Sequence, residues 1–87
     1  MSYVAEDCEA FLSESGHKDF LYPSRKKIKL KKGLVVSRVH WVGVSGLIPV
    51  KVETKKIFEL YQIERRKEYS VVWIRKECIY NEFSSRT

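Results

Sequence analysis

The residues Lys27-Ile28-Lys29-Leu30-Lys31 alternate charge with hydrocarbon, and a period of two fits one regular structure. A strand sets them on one face, about 6–7 Å apart, with Ile28 and Leu30 on the other. The segment therefore reads as a half-buried β-strand with a lysine face. It sits inside a longer basic run: Arg25, Lys26, Lys27, Lys29, Lys31, Lys32 and Arg38 make seven cations with no acid among them. That exceeds the net charge of +6 carried by all 87 residues.

The remaining charge is laid out unevenly. Positions 1–24 hold one basic residue, Lys18, against Glu6, Asp7, Glu9, Glu14 and Asp19, a net charge of −4. No Asp or Glu occurs between Phe20 and Val52, and positions 39–87 carry a net +3. Such an excess bears on partners rather than on fold, and points to nucleic acid, an anionic membrane surface or an acidic protein. The acidic segment could fold back to screen the basic one, or repel nucleic acid and turn the basic face outward.

Eighty-seven residues make one domain, 1–87, with a modest core. An apolar fraction of 44% with 11 aromatic residues supports a globular chain rather than a disordered one. Val39–Val52 is the longest apolar patch, and His40, Ser45, Pro49 and Lys51 interrupt it, so no membrane span is expected. Cys8 and Cys78 stand seventy residues apart and fit neither a disulfide framework nor a metal finger. Met1–Phe11 is polar and acidic rather than a secretory signal, and with free cysteines this points to the cytoplasm.

Ser2–Gly16 predicts an acidic amphipathic helix, the 1–16 segment of the domain. Val4, Cys8, Phe11 and Leu12 form its stripe, Ser2 caps it, and Gly16 ends it. His17–Ser24 is a linker closed by Pro23. Arg25–Lys31, a turn at Lys32-Gly33 and Leu34–Val44 predict a basic β-hairpin over 25–44. Gly43–Gly46 is the next turn signal, and Leu47–Glu53 is a strand whose Pro49 suggests an edge position. Between Val50 and Tyr80 no Gly, Pro, Asn or Asp occurs, so a helix over Thr54–Lys67 is attractive: Ile57, Leu60, Tyr61 and Glu64 follow helical spacing. Tyr69–Tyr80 is a strand, and 81–87 a frayed polar tail.

The expected architecture is α+β: an N-terminal amphipathic helix, then a small antiparallel sheet of three to five strands, with a second helix near 54–67. With 54–67 as a strand instead, Lys27–Phe83 would be a five-stranded meander. Its layout resembles small SH3-like barrels in length and in ending on a Trp-bearing strand, with no shared motif.

The candidate site is the basic hairpin: Arg25, Lys26, Lys27, Lys29, Lys31, Lys32 and Arg38, with His40, Trp41 or Tyr22 as a stacking surface. Lysines on alternate strand positions can track a phosphate backbone. They also protect exposed strand edges, although seven cations exceed that need. Arg65, Arg66 and Lys67 form a secondary basic cluster that brackets the 54–67 helix with Lys55 and Lys56. Beside the hairpin the two clusters would form one positive surface; otherwise they are an ordinary charged helix face offset by Glu64 and Glu68. Glu53-Thr54-Lys55 resembles the E-x-K half of the PD-(D/E)xK nuclease core but lacks a second carboxylate on the preceding strand. His17, His40, Cys8 and Cys78 are scattered without paired ligand spacing, so neither metal nor cofactor is expected. Trp41 and Trp73 read as core aromatics.

These features predict a small, non-catalytic, basic nucleic-acid-binding protein with a regulatory or accessory role, contacting DNA or RNA mainly through phosphates. The alternative is a protein-interaction or inhibitor module whose basic face docks an acidic protein surface. Nothing in the pattern sets an oligomeric state, and a dimer is compatible with it.

Overall fold

The computed structural model describes residues 2–15, 21–40 and 43–81. They form seven antiparallel strands: β1 (Ser2–Val4), β2 (Cys8–Ser15), β3 (Leu21–Leu30), β4 (Val35–Arg38), β5 (Leu47–Glu53), β6 (Tyr69–Arg75) and β7 (Ile79–Asn81). Their order across the sheet is β3-β2-β6-β5-β4-β1-β7. A 3-10 turn at Thr54–Lys56 leads into a single short helix, α1 (Phe58–Ile63), and a second 3-10 turn at Lys76–Cys78 joins β6 to β7.

The sheet therefore replaces the expected helix-plus-three-to-five-strand layout. The N-terminal segment is not a helix but β1 and the whole of β2. Val4, Cys8 and Leu12 are four apart, a spacing that satisfies a 3.6-residue period and a two-residue period equally. Ala10 breaks the tie: it is fully buried, in phase with Cys8 and Leu12, while Glu9 is exposed. Phe11, counted in the helical stripe, instead lies opposite Lys27 on the outer face. Gly16, the predicted helix end, and the 82–87 part of the predicted tail lie outside the described residues, while Asn81 belongs to β7.

The 25–44 hairpin also dissolves. Its turn exists: Leu34 N–H donates to Lys31 O at 3.2 Å, and Gly33 adopts φ +91°, which costs glycine little. Yet β3 pairs with β2 and β4 with β1 and β5. Val4 intervenes, donating to Leu34 O at 2.9 Å and accepting from Gly33 N–H at 2.8 Å, so β1 occupies the edge that β3 would have used. β4 ends at Arg38, short of the predicted Val44.

β5 is central rather than an edge, between β6 and β4. Pro49 O accepts from Val39 N–H at 3.2 Å, so its missing N–H points toward β4 as well, just past the last β4 pair, Arg38↔Val50. The absent donor falls where the ladder has already stopped. The predicted 54–67 helix survives in shortened form. Ile57 and Leu60 of its stripe are buried, but Tyr61 is exposed and no side chain caps the N-terminus.

One cluster gathers the inward face of nearly every strand: Val4, Ala10, Ile28, Leu30, Val36, Val50, Val52, Val72 and Ile74, closed by Ile57, Leu60 and Cys78. Strands six places apart in a flat sheet would be roughly 29 Å distant at 4.8 Å per strand. Val4 and Leu30 share this cluster across five places, so the sheet curls round its core. Burial first, then the neighbouring Cys78 thiol, pushes the Cys8 pKa up to about 12. Trp73 points out of the core by alternation yet is fully buried, flanked in register by Phe11 and Pro49, and its Nε1–H donates to Ser13 Oγ at 3.1 Å.

A buried hydroxyl relay ties the helical segment to β6. The Glu64 carboxylate accepts from Ser70 Oγ–H at 3.0 Å, which leaves Ser70 to accept from Thr54 Oγ1–H at 2.6 Å. Ser70→Ala leaves the Thr54 hydroxyl without an acceptor in a buried site, and we expect a loss of about 1–3 kcal/mol in urea unfolding. Adding Thr54→Val removes the stranded donor and recovers part of that loss; a double variant less stable than Ser70→Ala alone would contradict the relay.

Candidate nucleic-acid interface

β3 is one of the two edge strands among the described residues, and its alternation holds: Ile28 and Leu30 are buried while Lys27 and Lys29 are exposed. Lys27 Nζ lies 5.8 Å from the centroid of the Phe11 ring. Glu9 stands opposite Lys29 in the β2–β3 register, and Asp7 Oδ1 accepts from the Lys32 backbone N–H at 2.7 Å. The acidic N-terminal segment thus lies beside the basic strand, with Asp7 engaged on backbone rather than on a lysine side chain.

Past Leu30 the chain turns beneath the helical segment, and a depression of about 410 Å³ opens there. Lys29, Lys31 and Lys56 line it together, with Phe58 beside them and Glu59 as its carboxylate. Phe58 is 74% exposed. A second depression, about 270 Å³, is lined by Lys55, Arg65, Arg66, Lys67, Tyr61 and the carboxylates of Glu53 and Glu68. Lys67 Nζ is 3.3 Å from Glu64 Oε1, the one ion pair among the described residues. Lys56 thus brings the helical segment to the basic strand, whereas Arg65, Arg66 and Lys67 line the second depression.

Other predicted residues fall elsewhere. Arg25 and Lys26 are exposed in an irregular part of β3, where the register with β2 shifts and Lys26 N–H donates to Ser24 Oγ at 3.2 Å. Lys32 is exposed on the turn. Arg38 ends β4, four places away from β3 in the sheet, and lines a separate 180 Å³ hollow with Lys76. His40 is exposed beyond β4, and Trp41 lies outside the described residues. Tyr22 is exposed but at the opposite end of β3 from Lys29.

Glu53 and Lys55 share the second depression, and Glu68 joins them as another carboxylate, among three further cations. No group of three or more His, Cys, Asp or Glu able to hold a metal ion occurs among the described residues. Phe58 was not a sequence candidate. Its one signal was negative: it sits next to Ile57 but off the stripe of Ile57, Leu60, Tyr61 and Glu64, so a helix burying that stripe turns Phe58 outward. No helix among the described residues is long and apolar enough to cross a membrane. Comparison with protein-family models, curated proteins and solved structures finds no match to this chain.

Proposed function

We propose that this chain is a non-catalytic nucleic-acid-binding protein of the cytoplasm, acting in an accessory or regulatory role. Its principal contact is with phosphates at the end of β3. The observation that carries this reading is the convergence of Lys29, Lys31 and Lys56, from two separate segments, on one depression with a single carboxylate. Lysines that merely guard an edge strand need no third cation brought from a helical turn. Lys27, one strand repeat away, extends the row along the backbone.

Binding by counterion release is steeply salt-dependent. With about three to four phosphates neutralised, log Kd against log salt has a slope near 2–3 for a single strand. Fluorescence anisotropy with labelled single- and double-stranded DNA and RNA at two salt concentrations measures it. A flat salt response, or a stoichiometric protein partner captured equally well after nuclease treatment, would replace this reading with docking on an acidic protein surface.

A further inference from the structure

Three of the exposed large apolar side chains, Phe58, Tyr61 and Ile63, belong to the six-residue helix α1. A small helix buries its hydrocarbon when it can, and here only Leu60 of the helix is buried. The exposed rings are also placed non-randomly with respect to charge. Phe58 lines the depression of Lys29, Lys31 and Lys56; Tyr61 lines that of Lys55, Arg65 and Arg66. Each depression thus pairs one aromatic side chain with a group of cations that outnumbers its carboxylates.

We infer that the helical ridge is a stacking platform for unpaired bases, so that the ligand of this interface is a single strand rather than a duplex. This rests on the phosphate-binding reading above. Residues three apart on a helix are neighbours, about 5–6 Å between Cβ atoms, which places the two rings within reach of adjacent nucleotides of one strand. The lysines and arginines of the two depressions then meet the phosphates. A duplex offers the same phosphates but keeps its base faces inside the stack, out of reach of Phe58. Aromatic stacking tolerates any base, so the platform selects strandedness rather than sequence.

The test uses three labelled probes of equal length: a single-stranded oligonucleotide, its duplex, and an abasic strand with the same phosphates. The full chain binds the single strand about tenfold or more tighter than the abasic strand. Phe58→Ala with Tyr61→Ala brings the single strand down to the abasic level and leaves abasic affinity unchanged. Phe58→Trp, which keeps a ring at an exposed position, gains fluorescence that the single strand quenches and the abasic strand does not. Equal affinity for abasic and normal strands, or an alanine variant that binds the single strand undiminished, overturns the platform while phosphate binding stands. No binding to any of the three probes at low salt, or binding to polyglutamate alone, overturns both.

Discussion

Replacing Lys29, Lys31 and Lys56 together by glutamate lowers nucleic-acid affinity at least about a hundredfold at low salt. A charge pair at contact distance is worth about 1 kcal/mol even in bulk water, and reversal converts three attractions into three repulsions. All three side chains are exposed, so the fold should survive, as circular dichroism and the unfolding midpoint will show. The essential comparison is a variant with the same charge change placed elsewhere. Arg38→Glu, Arg75→Glu and Lys76→Glu also take the chain from +6 to zero, and none of these residues lines the β3 depression. Binding guided by total charge alone would weaken equally in both. A localised interface loses far more in the first, and an equal loss would dissolve the site into a diffuse field.

The second large effect is on stability. Trp73→Ala should cost about 3–5 kcal/mol. Trp73 is fully buried, and its indole N–H is partnered by Ser13 Oγ at 3.1 Å. For a chain of this length, whose total stability is on the order of 4–13 kcal/mol, that change consumes a large share of it. Trp73→Phe keeps a ring and loses only the hydrogen bond and part of the volume, so it should fall between alanine and the parent in urea unfolding. A Trp73→Ala midpoint close to the parent's would mean that the outer face carries no packed layer around this indole.

Local pattern was readable where one face of an element is buried and the other wet. Lys27 to Leu30 alternated within a strand, and Lys32-Gly33 turned. Two kinds of information were not local. Residues four apart, such as Val4, Cys8 and Leu12, cannot by themselves separate helix from strand, and charge at the front of the segment favoured a helix that does not form. Partner choice was also hidden: a turn at Gly33 ordinarily announces a hairpin, but Val4, twenty-nine residues earlier, takes its hydrogen bonds. Pro49 misled for a related reason, since an unpaired position can lie inside a central strand where a short neighbour ends. For the site, the lysine row on β3 was legible, whereas Lys56 and Phe58 joined it only through tertiary placement.

The position of β1 between β4 and β7 bears on how the chain reaches this state. Ser2 pairs with Val36 on one side and Asn81 on the other, and β2 finds β6 some sixty residues downstream. On a ribosome, β2 and β3 can meet early, but the outer edge of β2 and one side of β1 stay unpaired until the residues of β6 and β7 have emerged. Contacts so distant along the chain slow folding and leave strand edges open to wrong neighbours in the interval. Lys27, Lys29 and Glu9, which mark the side that forms first, are charged residues of the kind that discourage such pairing. The same lysines that suit this strand to a polyanion would then also keep the half-made sheet apart from its copies.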